Sequence, residues 1–162
     1  VPSQFESGFG GVNWRYLPAY HEFIWFSQRD NWDHLYLYDA VTGKLKNKIT
    51  DGKYDVSKIV KVDNKDRIIY FMAAGLEEEN PYYMQLCKIN FDGKGFLILT
   101  PETGNHDVTY SPTVKYFIDS YSKPDVAPVT VLRKSDGRMI LTMENTDLSR
   151  LDTIGWKPPV PF

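Results

Sequence analysis

Three adjacent glutamates, Glu77-Glu78-Glu79, are the most conspicuous candidates for ligand chemistry in the sequence. Neighbouring carboxylates suit a cation with several N–H donors, such as an ammonium group, because each oxygen accepts a charge-assisted hydrogen bond. The three residues fall, however, between two apolar runs, where a solvated acidic loop is the simpler interpretation. We therefore assign them no binding role, and we identify no substrate-binding residue from the sequence.

The three histidines do not have the spacing of a metal site. His21, His34 and His106 are separated by 13 and 72 residues, whereas metal-binding histidines on one element lie a few residues apart. Each is interpreted as a turn or strand residue, and His34 is expected to make a structural hydrogen bond. We predict no metal and no cofactor.

Other signatures of catalysis fail on residue type or context. The sequence contains no G-x-S-x-G pentapeptide, which a serine hydrolase uses to expose its nucleophile. Gly8-Phe9-Gly10-Gly11 is too short for a phosphate-binding fingerprint. The single cysteine, Cys87, lies in an apolar run and is interpreted as a small buried hydrophobe. We predict no catalytic residue, because an enzyme in its own right would need a constellation that these residues do not provide.

The composition indicates a strand-rich protein with an ordinary surface. Of the 162 residues, 42% are apolar and 15% aromatic, and aromatic rings pack well on pleated sheets. The 19 basic and 21 acidic residues are interspersed, so no basic stripe favours nucleic acid. No apolar run approaches the roughly 20 residues of a membrane span. An all-β fold is therefore expected.

The elements that would carry these residues repeat at intervals of about 45 residues. Apolar runs begin near Phe23, Ile68 and Tyr116, and each is followed by a polar loop, a second strand, a glycine turn and a closing strand. The second strands are predicted at 35–38, 84–89 and 129–132, the turns at Thr42-Gly43-Lys44, Asp92-Gly93-Lys94 and Ser135-Asp136-Gly137, and the closing strands end in Ile49-Thr50, Leu99-Thr100 and Leu141-Thr142.

A further strand fits between the units, at 55–62 and at 106–110. Four strands per repeat of this length are typical of a β-propeller blade. A β-sandwich with evenly spaced strands is the alternative. We predict a partial β-propeller of about three four-stranded antiparallel blades. The predicted domains are a propeller fragment over 1–146, with blades at about 12–55, 56–105 and 106–146, and a short helical or extended linker over 147–162.

Three blades cannot close a ring, since propellers need about four to eight. Two sheet faces would therefore lack a neighbour. Such faces are expected to be apolar, which predicts either marginal stability or packing against a second copy.

The last residues form a separate short pattern. Leu148, Leu151 and Ile154 have helical spacing after Asp147, a plausible cap, so one or two helical turns are expected. The prolines that follow forbid a longer helix; they are Pro158, Pro159 and Pro161.

Residues 27–38, SQRDNWDHLYLY, resemble the SE-x-DGW-x-HLY-x-Y hairpin of the N-terminal β-propeller domain of the dipeptidyl peptidase IV family, in the prolyl oligopeptidase clan. Gln28 and Asn31 replace the commoner Glu and Gly. The resemblance continues through almost the whole chain and places it in the C-terminal part of the propeller. Supporting segments are Glu79-Asn80-Pro81, Gly104-Asn105-His106, Asp119-Ser120-Tyr121-Ser122 and Glu144-Asn145.

The resemblance implies a role as scaffold and access wall in a larger enzyme. In this family the propeller joins an α/β-hydrolase domain, whose Ser, His and Asp remove N-terminal dipeptides with Pro or Ala second. The implied partners are that domain, the remaining blades and a peptide substrate, and the implied location is periplasmic or extracellular. The family's substrate-anchoring Glu pair lies earlier in the chain, so it is not transferred to 77–79. Trp14 and Arg15 lie near a position where a family arginine approaches substrate, but neither is assigned that role.

A different function stays open at this point. A free-standing module could present its Tyr and Trp loops to a protein or a glycan. Trp32 and Trp156 themselves are interpreted as packing anchors.

Overall fold

The computed structural model describes residues 14–78 and 80–159. They form three separate four-stranded antiparallel sheets, and in each sheet the strands pair in chain order. The first sheet contains β1 (Arg15–Leu17), β2 (Glu22–Ser27), β3 (His34–Asp39) and β4 (Leu45–Lys48). The second contains β5 (Asp55–Asp63), β6 (Ile68–Ala74), β7 (Gln85–Asn90) and β8 (Leu97–Ile98), and the third β9 (Asn105–Tyr110), β10 (Tyr116–Lys123), β11 (Val126–Lys134) and β12 (Met139–Asn145).

The chain divides into two compact units. The first, Val1–Ile98, holds the first two sheets, and the second, Leu99–Phe162, holds the third sheet and the tail. The all-β prediction and the prediction of three four-stranded antiparallel sheets are both confirmed.

The core of the first unit lies between its two sheets. Strand residues alternate between the two faces of a sheet, so every second side chain enters this core. Ile24, Leu35 and Leu37 come from the first sheet, while Ile69 and Phe71 come from the second. The first two sheets therefore pack face to face, as expected of neighbouring blades.

The closing strands are shorter than predicted in the first two sheets. β4 ends at Lys48 rather than at Thr50 because the backbone N–H groups of Ile49 and Thr50 both donate to the carbonyl of Leu35, at 2.8 and 3.4 Å. Two donors on one acceptor interrupt the regular ladder of an antiparallel pair. In the third sheet the closing strand is longer than predicted and continues to Asn145.

The opening strand of the first sheet was not predicted from the sequence. β1 has only three residues and is followed at once by Pro18, which starts a 3₁₀ turn. Three residues are too few to show an alternating pattern, and the proline removes a ladder donor.

The third sheet buries one face and exposes its last strand. Phe117 and Val131 are buried, and so are the charged side chains of Asp119 and Arg133 on the same face. Every residue of β12 is exposed.

The tail contains the predicted helical turn, α1 (Ser149–Asp152), but its N-cap residue is Leu148 rather than the predicted Asp147. The carboxylate of Asp147 accepts the backbone N–H of Ser149 at 2.8 Å just before the turn. Within residues 14–78 and 80–159, no helix has the length and apolar character that would take it across a membrane.

Candidate functional site

A surface cleft of about 440 Å³ lies between the first two sheets. Its walls come from β3, β4, the β5–β6 turn and the end of β7, so it sits at the end of the sheets that carries the short hairpin turns. The lining residues are Leu37, Lys46, Asn47, Asp66, Arg67, Asn90, Phe91 and Asp92.

A buried carboxylate beside the cleft connects the two sheets. Glu22 on β2 is 3% exposed and accepts hydrogen bonds from Lys46 of its own sheet and from Nη1 of Arg67 in the second sheet, the latter at 2.6 Å. Burial alone would raise the pKa of Glu22, but the hydrogen bonds from Arg67 and Lys46 outweigh it and hold the pKa below its ordinary value. The carboxylate is therefore ionised and fully engaged.

Aromatic rings and backbone contacts fix the position of Arg67. Its guanidinium lies 4.1 Å from the ring centroid of Phe91 and 5.0 Å from that of Tyr20. Its carbonyl accepts the backbone N–H of Phe91 at 3.0 Å. Asn47 in turn donates its side-chain amide to the carbonyl of Phe91 at 2.9 Å, which ties the first sheet to the second.

The polar groups that line this cleft are the amides of Asn47 and Asn90, the carboxylates of Asp66 and Asp92, and the cationic side chains of Lys46 and Arg67. Among the described residues, no group of three His, Cys, Asp or Glu side chains could hold a metal ion. Glu22, Lys46 and Arg67, the Glu22 cluster, connect the first sheet to the second through hydrogen bonds.

His34 has the structural role that its sequence context predicts. Its Nδ1 lies 3.1 Å from the hydroxyl of Thr50 and its Nε2 lies 3.2 Å from the carbonyl of Gly52. The Thr50 hydroxyl also accepts the backbone N–H of Leu35, so the ring pins the segment after β4 to β3. Burial, and next the charge of Lys48, lower the pKa of His34, which favours the neutral ring.

The third sheet contains a second polar cluster, which was not predicted from the sequence. His106, a strand residue as predicted, contacts Asp119 at 2.8 Å, and Asp119 accepts a hydrogen bond from Nε of Arg133 at 2.9 Å. Nη2 of Arg133 also donates to the carboxylate of Glu102. Burial alone would lower the pKa of Arg133, but Glu102 and Asp119 keep that pKa above its ordinary value.

A sequence signal for this cluster exists. Asp119 follows Phe117 by two residues, and Arg133 follows Val131 by two. On a strand this spacing places each charged residue on the same face as an apolar neighbour. Asp119 and Arg133 are therefore both on the buried face, where their opposite charges pair.

The glutamates of the β6–β7 loop do not form a binding pair among the described residues. Glu77 accepts a hydrogen bond from the side-chain amide of Gln85 at 2.6 Å, and Glu78 is exposed. Glu79 lies outside the described residues, as does the Gly8-Phe9-Gly10-Gly11 segment.

Cys87 and the tryptophans differ in how deeply they are buried. Cys87 is fully buried, as predicted, and burial raises the pKa of its thiol to about 12. Trp32 is half-buried, and Trp156 is 39% exposed. Arg15 donates to the carbonyls of Trp14, at 2.8 Å, and Ile59, at 3.4 Å.

Repeated four-stranded antiparallel sheets, two of them packed face to face, define this chain as part of a β-propeller. Its residues 11–128 match the family described as the dipeptidyl peptidase IV (DPP IV) N-terminal region. The match covers well over half of the chain, and the chain belongs to this family.

Individual relatives agree with the family match. The chain is 29% identical over 109 residues to dipeptidyl peptidase 4 of Arthroderma otae and 28% identical to that of Trichophyton rubrum. Each alignment covers 64% of this chain and 13% of the relative. The crystal structure of Porphyromonas gingivalis dipeptidyl peptidase 4 superimposes with a TM-score of 0.69 and 27% identity, over 86% of this chain and 19% of that one. The chain therefore spans a small part of the proteins that it matches.

Proposed function

We propose that this chain is a non-catalytic stretch of the propeller of a longer serine-type dipeptidyl peptidase. In that enzyme it acts as scaffold and as part of the wall that limits peptide access. The observation that carries the proposal is the family match over residues 11–128, together with the structural similarity that extends over 86% of the chain.

The chemistry of the proposed parent comes from outside this chain. A separate α/β-hydrolase domain supplies Ser, His and Asp and removes N-terminal dipeptides with Pro or Ala second. The remaining blades and that domain are the proposed partners, and the proposed location is the periplasm or the extracellular space. Residues 12–55, 56–105 and 106–146 are the proposed blades, and 147–162 is the proposed linker to the hydrolase domain.

The polar clusters of the described residues fit a supporting role. In the first unit Glu22 joins two sheets, and in the second Asp119 and Arg133 neutralise each other inside one sheet. Each cluster fixes neighbouring segments in position, which is what a rigid wall requires.

A chromogenic Gly-Pro dipeptide substrate tests this function. Hydrolysis is expected from the longer gene product and not from the 162-residue chain alone. An inactive longer product, prepared folded, would contradict the proposal, and so would activity of the short chain that survives repurification. Reading the gene beyond the codon for Phe162 gives an independent check: a G-x-S-x-G segment followed by Asp and His is expected there.

A second candidate function rests on exposed aromatic side chains of the first sheet. Tyr16 is 50% exposed and Trp25 41% exposed, and flat exposed rings suit a glycan or a protein partner. Binding of the isolated chain to a panel of oligosaccharides or extracellular proteins would favour this function if Trp25→Ser abolished it. Tyr82→Ser is the matched control, since Tyr82 is 83% exposed and lies in the β6–β7 loop.

A further inference from the structure

The hairpins that close the three sheets show which residues occupy equivalent positions. In each sheet one backbone hydrogen bond of 2.9 Å closes the hairpin between the third and fourth strands. The residues that donate these bonds therefore hold the same place in their sheets, and positions in the third strands can be counted back from them. The three donors are Asp39, Asn90 and Lys134.

Counting back from these donors separates the two faces of each sheet. Residues that follow one another along a strand point to opposite faces, whereas residues paired across two antiparallel strands share a face. We call the face two residues before the donor the forward face, and the face three residues before it the rear face. The forward faces contain the pairs Ile24–Leu37, Tyr70–Lys88 and Ile118–Leu132, and the rear faces contain the pairs Trp25–Tyr36, Phe71–Cys87 and Asp119–Val131.

The packing of the first sheet on the second joins unlike faces. Ile24 and Leu37 enter the common core from the forward face of the first sheet. Phe71 and Cys87 enter it from the rear face of the second. The contact is therefore heterologous, because each sheet contributes a different kind of surface.

One face of each kind also carries exposed apolar side chains. On the rear face of the first sheet, Trp25 is exposed, and so is Tyr16, which pairs with Phe23. On the forward face of the third sheet, Ile118 is exposed, and so is Leu141, which pairs with Leu132. Exposed apolar surface of this kind marks a contact site in soluble proteins.

We propose that the rear face of the first sheet binds the forward face of the third sheet of a second copy of this chain. The occupant follows from the contact that the chain already makes, in which a forward face covers a rear face. Trp25 and Tyr16 supply the aromatic side of the contact, and Ile118 and Leu141 supply the aliphatic side. Two copies therefore associate head to tail, through two different surfaces.

Two charge substitutions, one on each face, test the polarity of this contact. Trp25→Lys alters the rear face of the first sheet, and Leu141→Lys alters the forward face of the third. Each variant alone is expected to associate about tenfold or more weakly than the unaltered chain in sedimentation velocity, because an unpaired charge would be buried. An equimolar mixture is expected to form a one-to-one complex, since each variant retains the surface that the other has lost.

Tyr82→Lys is the matched control for the loss of an exposed aromatic ring. Tyr82 lies in the β6–β7 loop, away from both faces, so this variant is expected to associate as the unaltered chain does. A mixture of the two face variants that stays monomeric would overturn the proposal. Association of Trp25→Lys alone at the strength of the unaltered chain would also overturn it, since two third sheets would then bind each other.

Hydroxyl-radical footprinting of the unaltered chain decides the proposal even if a variant fails to fold. Between dilute and concentrated samples, labelling of Trp25 and Leu141 is expected to fall together by about twofold or more, as at the core of an interface. Labelling of Tyr82 is expected to stay constant. Protection of Leu141 without protection of Trp25 would overturn the proposal.

A glycan at the same aromatic rings is the competing occupant. Oligosaccharide binding that requires Trp25, in a chain that stays monomeric, would assign this face to the second candidate function and overturn the head-to-tail contact. The contact between copies is independent of the proposed peptidase parent, because the hydrolysis of a Gly-Pro substrate by the longer product does not depend on its outcome.

Discussion

Glu22 shows how one side chain can link two sheets that share no backbone ladder. Its carboxylate receives Lys46 from β4 of the same sheet and Arg67 from the β5–β6 turn of the next. Both cations are partly exposed, whereas the carboxylate is almost completely buried. Removing the carboxylate therefore leaves two cations that water can solvate, and the main loss is that of charged hydrogen bonds.

Glu22→Gln is expected to lower the free energy of unfolding by about 1.5–3 kcal/mol, the range for hydrogen bonds to charged groups. Urea denaturation of the two proteins at neutral pH measures the difference. Glu144→Gln, in exposed β12, is the control and should change the free energy of unfolding by less than about 0.5 kcal/mol. Equal effects of the two substitutions would contradict the role given to Glu22.

The same carboxylate contributes a pH dependence of stability. Because its pKa is lower in the folded protein than the ordinary value of 4.5, the stabilisation is present above that value and is lost as the pH falls through the folded pKa. Repeating the denaturation series in acid should therefore show the parent chain and Glu22→Gln converging. A difference that stays constant down to the acid limit of folding would exclude an electrostatic origin.

Residue type alone does not predict which partners the two buried histidines, His34 and His106, find in the structure. His34 lies in the recognisable hairpin, and its structural role was predicted. His106 has the same residue type, but its partners are a carboxylate and a carbonyl instead of a hydroxyl and a carbonyl. Those partners come from neighbouring strands and a preceding loop, so only the strand register brings them together.

At the scale of elements, the hairpin glycines determine where each second strand turns back. Gly43, Gly93 and Gly137 have φ values of 69°, 82° and 91°. Residues that carry a Cβ atom are sterically strained in this left-handed region of backbone conformation, whereas glycine is not. The sequence predicted these turns because Asp-Gly and Thr-Gly pairs are typical of such positions.

Gly137→Ala is expected to destabilise the protein by at least about 2 kcal/mol, through backbone strain and overpacking together. A Cβ at this position would lie 2.8 Å from the backbone oxygen of Leu99, so the main chain would have to shift. Gly43→Ala is the matched control, since it has a similar φ and no heavy atom within 4 Å of the new Cβ. It should cost only about 1 kcal/mol. Thermal and urea unfolding measure both, and a Gly43→Ala variant as unstable as Gly137→Ala would show that crowding at Leu99 is unimportant.

The strands themselves were largely predictable, and their ends were not. The continuous apolar run of β6 and the alternating run of β10 begin where the sequence places them, because both patterns are local properties of the sequence. β4 ends early because two donors share the carbonyl of Leu35, and β1 is too short to have a period. The end of β4 and the existence of β1 both depend on hydrogen bonds to a neighbouring strand, which the local sequence does not specify.

At the scale of the whole molecule, the third sheet exposes apolar side chains, as a blade of this family's propeller is expected to do on a face that packs against another blade. The third sheet places Ile118, Leu132 and Leu141 directly opposite one another on three adjacent strands. Ile118 is 38% and Leu141 47% exposed on this face. A propeller blade presents such a face to its neighbour, and contiguous apolar surface is a contact site in soluble proteins.

The 162-residue chain is therefore expected to self-associate when it is prepared alone, with the apolar residues of β12 in the contact. Sedimentation velocity over a hundredfold range of concentration should show a rising mean mass. Leu141→Lys should return the chain toward monomer, because a charge would have to be buried in the contact. Val41→Lys changes an apolar residue that is 76% exposed in the turn between β3 and β4, and it should leave the association unchanged. A monomer at every concentration would contradict the interpretation of this apolar surface as a blade face that normally packs against a neighbouring blade. Association that persists in both variants would show that the contact lies elsewhere than at Leu141.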